Sequence, residues 1–189
     1  MLVIGNGESR ADVDISKFKG TKIGCNAILR DYQVDHLICV DRKMVREAIN
    51  KKYKSNIYTR NDWIDEFKAY GIMTVPDLPY NGTERPDEPF QWGSGPYAVL
   101  LACTMGNDIR LVGFDLHSKS KYMNNIYKDT NNYNKSDHHA IDPRYWIHQI
   151  GKLIHIFPYK HFTIYNDNDW TLPESWKMPN VSVDNTSNL

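Results

Sequence analysis

The stretch from Gly93 to Asp115 leaves the chain little choice of fold. It reads as a small-residue turn (Gly93-Ser94-Gly95), an apolar helix through Tyr97 to Cys103, and a tight stop at Gly106-Asn107. A buried strand then ends in Gly113-Phe114-Asp115. A helix followed at once by a buried strand is one step of an α/β layer arrangement. The helix opens on small residues, so it offers bare N–H groups and the positive end of its dipole to an anion. Asp115 ends its strand at the carboxyl edge of the sheet, where open α/β folds bind ligands.

The rest of the chain repeats the pattern. Leu2-Val3-Ile4 is a short apolar run that breaks into Gly5-Asn6-Gly7-Glu8-Ser9. This is strand and glycine turn, without the dinucleotide fingerprint, because Arg10 stands where its third glycine would be. Further strands are expected at 22–25, 36–40, 56–59, 72–75 and 162–166. Asn26, Asp41 and Arg60 follow three of them, and in a parallel sheet such ends share one edge. That recurrence points to a site as well as a fold.

Helices are expected over 28–32, from Arg42 to about Lys52, around Trp63, Ile64 and Phe67, and from Asp142-Pro143 to about Phe157. The basic residues of the second of these read as a solvated face. Residues 76–91, with Pro76, Pro79, Pro86 and Pro89, form a long connection that is either a binding loop or a brace on the sheet edge. His117 to His139 is polar and poor in aliphatics, yet Tyr122, Tyr127 and Tyr133 argue that part of it packs. The expected organisation is a single Rossmann-like three-layer α/β domain over residues 1–166, with a mostly parallel sheet and 116–140 as a lid or active-site loop. Residues 167–189 are expected to be a C-terminal tail with a poorly ordered end.

Composition narrows the function classes. The 189 residues carry 23 Lys plus Arg against 23 Asp plus Glu, so no global basic field argues for nucleic acid. Cys25, Cys39 and Cys103 sit in apolar contexts without CxxC spacing, against a zinc ribbon or a disulfide framework. They read as small buried hydrophobes of a reducing compartment. Met1-Leu2-Val3-Ile4-Gly5 reads as a strand and not as a signal peptide, and no window approaches transmembrane length. A cytoplasmic location is expected, and a homo-oligomer is compatible with the sequence.

Three chemistries fit unequally. A metal centre would draw on His117, His138, His139 and Asp115, but no HxxxH or HExxH spacing occurs. A hydrolase would use Ser94, which lacks the GxSxG elbow. Group transfer from a nucleotide-linked donor needs phosphate-binding amides, a carboxylate or amide for the nucleoside, and one base. The strand-end Asn and Ser residues, the Gly93-Ser94-Gly95 helix start and a neutral histidine supply that set.

Gly5-Asn6-Gly7-x-Ser9, Asn26 after the second strand, and Gly93-Ser94-Gly95-Pro96-Tyr97-Ala98 leading to Ile109-Arg110-Leu111-Val112-Gly113-Phe114-Asp115 resemble the bacterial lipooligosaccharide sialyltransferases. A Tyr-rich loop and a His before the next helix complete the likeness, which runs over about residues 1–166. MptE-like hydroxymethylpterin pyrophosphokinases and motility-accessory-factor glycosyltransferases share the same skeleton. The resemblance implies a CMP-sugar donor, no required metal or other cofactor, and a glycan or other hydroxyl acceptor. It also implies that Gly5, Asn6, Gly7, Ser9, Asn26, Asp41, Gly93, Ser94, Gly95, Asp115 and His117 hold the donor nucleotide. His139 or His138 would be the base, and Tyr122 would meet the leaving phosphate. Gln91-Trp92 stand where the family carries a basic residue, and Asp41 where it shows an amide. The alternatives are a magnesium-dependent pyrophosphokinase acting on a pterin-like alcohol, and a nucleotide-binding protein without catalysis.

Overall fold

The computed structural model describes residues 1–118 and 120–189. Eight strands pair in one sheet: β1 (Leu2–Ile4), β2 (Lys22–Cys25), β3 (His36–Ile38), β4 (Asn56–Thr59), β5 (Met73–Thr74), β6 (Asp108–Val112), β7 (His161–Asn166) and β8 (Val181–Asn185). Their order is β5-β4-β3-β2-β1-β6-β7-β8, and every pairing is parallel. The chain therefore winds outward from β1 on one side, crosses back, and winds outward from β6 on the other. The strand order reverses between β1 and β6, which is the place where doubly wound sheets bind ligands.

Among the described residues four α-helices accompany the sheet: α1 (Arg42–Asn50), α2 (Ile64–Phe67), α3 (Ser94–Met105) and α4 (Arg144–Ile156). Alternate strand residues serve two cores, as the period of two requires. Val3, Ile23, Ile38, Leu111, Phe162 and Ile164 pack with α3 and α4 on one face. Leu2, Ile4 and Leu37 pack on the other with Met44, Val45 and Ala48 of α1. Three layers result, an arrangement of the Rossmann kind. Helix α3 is buried from Pro96 to Cys103, which explains why it has no polar face. The three cysteines are free and buried, and burial pushes the Cys25 and Cys103 thiols up to about 12.

One expectation differs from this fold, and another is narrowed by it. The segment set apart as a tail closes the sheet: β8 pairs with β7 from Phe162↔Val181 to Asn166↔Asn185. Its sequence, Val-Ser-Val-Asp-Asn, is as polar as a tail because an edge strand buries little, and the ladder with β7 supplies the order. The connection 76–91 braces the sheet edge beyond β4, where Arg60 Nη1 donates to Phe90 O at 3.0 Å. It docks on α4, where Gln149 Nε2 donates to the carbonyls of Pro86 (2.9 Å) and Gln91 (3.2 Å). Among the described residues no helix is long and apolar enough to cross a membrane.

Candidate functional site

The first glycine turn is shaped by the strand beside it. Gly5 N–H donates to Val112 O and Gly7 N–H to Gly113 O, so the chain hugs the end of β6 for two residues beyond β1. Gly113 has φ +71°, and a Cβ there would lie 2.8 Å from Gly5 O. A Cβ at Gly7 would lie 2.7 Å from Asp115 Oδ2. Gly113 is required by close backbone approach, and Gly7 leaves room for the Asp115 carboxylate. The amides of Gly5 and Gly7 are spent on β6, so they bring the chain near a ligand without donating to it.

Beneath the turn lies Arg10, which is 2% exposed. Its Nε donates to Gly5 O at 2.6 Å, and its Nη2 to Tyr127 OH at 3.1 Å. Tyr127 OH donates in turn to Asp31 Oδ2 at 2.6 Å. Burial, and then the bond to Asp31, push that phenol well above its ordinary range. The polar loop is thereby fastened down, aided by Ile126 N–H to Asn6 O (3.0 Å) and Glu8 N–H to Asn124 Oδ1 (2.9 Å). In the sequence Arg10 shows only as a missing glycine; nothing local announces that its partner is Tyr127.

These pieces enclose a cavity of about 290 Å³ at the β1–β6 switch point, near the lower end of the usual range for small-molecule sites. Gly5, Asn6, Gly7, Asn26, Gly93, Ser94, Gly95 and Asp115 all line it. Ser94 holds the centre. Its Oγ donates to Asn26 Oδ1 at 2.9 Å and accepts from Val40 N–H at 3.1 Å. The N–H groups of Ser94 and Gly95 lie in the first turn of α3 and have no intrahelical carbonyl to meet. Asn26 (φ 48°) and Leu116 (φ 63°) both line the cavity in the left-handed region, which an asparagine tolerates and a leucine avoids. Such strain persists only where surroundings impose it, and it clusters at functional sites.

Other anticipated residues lie elsewhere. Ser9 does not line the cavity. Its Oγ and N–H both donate to the Asp115 carboxylate, the latter at 3.0 Å, so it orients that acid. Asp41 is exposed and caps α1 by accepting from Lys43 N–H at 2.8 Å. His117 is exposed in a neighbouring cavity. Tyr122 and His139 form an isolated antiparallel bridge, beside the bond from Met123 N–H to His138 O. All three of those side chains are exposed, and none lines the switch-point cavity. The cavity instead gains residues not singled out from sequence: Asn124 and Asn125 from the same loop, and Trp146 from α4. A Cβ on Gly93 would lie 3.0 Å from Trp146 Nε1, so the indole N–H sits beside the helix start. Trp146 falls in the helix expected from Asp142-Pro143, where nothing local marks its polar tip.

Comparison with protein-family models, with curated proteins and with solved structures gives no match. The site's own geometry therefore carries the functional argument.

Proposed function

We propose that the chain is a sialyltransferase-like glycosyltransferase that takes a CMP-activated or related nucleotide sugar in the switch-point cavity. The supporting observation is convergence. Two chain segments far apart in sequence, Gly5-Asn6-Gly7 and Gly93-Ser94-Gly95, face one cavity with Asn26 and Asp115 between them. The donor phosphate would lie against the Ser94 and Gly95 N–H groups, where the dipole of α3 adds to their hydrogen bonds. The nucleoside would lie toward Phe114, Leu116 and the Trp146 ring, with the Asn26 Nδ2 for its polar edge.

In the reaction, the acceptor oxygen forms a bond to the anomeric carbon as the bond from that carbon to the phosphate oxygen breaks. The nucleotide leaves with the electron pair, and the acceptor proton passes to a base. His139 and His138 remain the candidates, since their loop also sends Asn124 and Asn125 into the cavity. A base and a set of phosphate donors each contribute on the order of a hundredfold.

A thermal-shift panel of CMP, CDP, UDP, GDP and ATP, each with and without magnesium, tests the reading. A cytidine nucleotide at a hundred times its dissociation constant should stabilise the fold by about 2.7 kcal/mol without magnesium. Stabilisation by ATP with magnesium alone would overturn the reading in favour of the pyrophosphokinase. With activity in hand, replacing His138 and His139 together by Ala should abolish turnover while leaving nucleotide binding intact.

A further inference from the structure

A second cavity, of about 440 Å³, opens at the carboxyl ends of β6 and β7 and meets the first at Asp115 and Asn124. Asn166, the last residue of β7, lies in its wall and is 3% exposed. Its Oδ1 accepts from Asp167 N–H at 2.8 Å, while its Nδ2 is buried with no partner among the described residues. An unbonded buried amide is costly, and in a native fold it calls for an explanation.

The facing wall is built, not frayed. Trp170 lines the cavity and donates its indole N–H to Asp115 O at 2.8 Å. Its ring lies 6.4 Å from that of Trp176, which is fully buried and bonded to Ile147 O at 2.9 Å. Thr171 and Ser118 add hydroxyls. An indole, an amide and hydroxyls together suit a ring with an apolar C–H face and a hydroxyl edge. The Asp115 carboxylate at the junction disfavours an anionic ring there.

We propose that this cavity is the acceptor subsite, taking a neutral, hydroxyl-rich sugar ring that presents a hydroxyl toward the first cavity across Asp115 and Asn124. The assignment rests on the first cavity holding the donor nucleotide. Saturation-transfer NMR on the full chain, with methyl β-galactoside as the probe, tests it with and without saturating CMP. The glycoside should receive saturation in both conditions. Asn166→Asp should weaken its binding about fivefold, the loss of one hydrogen bond. Thr171→Arg, at an exposed position of the mouth, should abolish the signal without unfolding the chain. Both variants should keep the CMP thermal shift. No saturation transfer, displacement of the glycoside by CMP, or indifference to both substitutions would overturn the proposal. Displacement by a nucleotide sugar but not by CMP would assign the cavity to the donor's sugar and also overturn it. Glycoside binding that is sensitive to both substitutions, in a chain that CMP does not stabilise, would keep the sugar site and sink the donor reading alone.

Discussion

Two buried polar networks can be set side by side. Under the switch-point cavity, Arg10 ties Gly5 O to Tyr127 OH, and Tyr127 ties on to Asp31. In the connection before α3, Asp87 accepts from His148 Nε2 at 2.7 Å, from Tyr80 OH at 3.2 Å and from Glu84 N–H at 3.1 Å. By residue type the Asp87 network has more of an active site about it, with a histidine, two carboxylates and a tyrosine. Yet both Asp87 oxygens are occupied within the protein, and none of the four lines the switch-point cavity. The Arg10 network, with one arginine and one phenol, supports the strand-end turn that forms the cavity floor. Residue chemistry alone favours the Asp87 network; position on the carboxyl edge of the sheet favours the Arg10 network.

The contrast can be broken or sharpened by substitution. The largest effect is expected from Arg10→Met. It strands the Gly5 carbonyl and loosens the Tyr127 loop, so it should cost about 2–4 kcal/mol in denaturant unfolding and weaken nucleotide binding too. Next, Gly113→Ala should cost about 2–3 kcal/mol, because φ +71° and the nearby Gly5 oxygen oppose any Cβ.

Asp87→Asn should cost about 1–2 kcal/mol at neutral pH while leaving nucleotide affinity unchanged. Burial would raise the Asp87 pKa, but the bonds from His148, Glu84 N–H and Tyr80 outweigh it and hold the carboxyl below its ordinary value. The stabilisation is therefore complete above the ordinary aspartate range and fades as pH falls through the lower folded value. The gap between wild type and Asp87→Asn should close in acid unfolding experiments once the pH falls below the ordinary aspartate range and through the lower folded value. An equal gap at all pH values would show that charge is irrelevant there. The smallest effect belongs to Asp41→Ala, which should lose about 1 kcal/mol of helix capping and no nucleotide affinity. A loss of affinity would return Asp41 to the site.

Much of the fold was legible because its signals are local. Leu2-Val3-Ile4 is an apolar run ended by Gly5, and the apolar Ile109, Leu111 and Val112 lie between Asp108 and Gly113; short β-branched segments bounded in this way favour strands. The glycine turn at 5–7 and the helix start at 93–95 were legible as places of close approach at the sheet edge, and both line one cavity. The loop 116–140 was not. Its tyrosines anchor to Arg10, Asp31 and Ala27 N–H across about a hundred residues of sequence, and that packing leaves Asn124 and Asn125, not Tyr122 or His139, against the cavity.

By itself the sequence determined the layer type, the strand ends and the small residues that let two turns approach. Backbone conformation and burial pattern depend on near neighbours, so a linear reading reaches them. Only the tertiary structure decided that β1 and β6 are neighbours, that Arg10 is buried, and that Asn166 and Trp170 stand beside Asp115. The physical reason is distance along the chain. Hydrogen bonds such as Trp170 to Asp115 or Tyr127 to Arg10 join residues that share no local pattern, and their partners exist only once the sheet has closed.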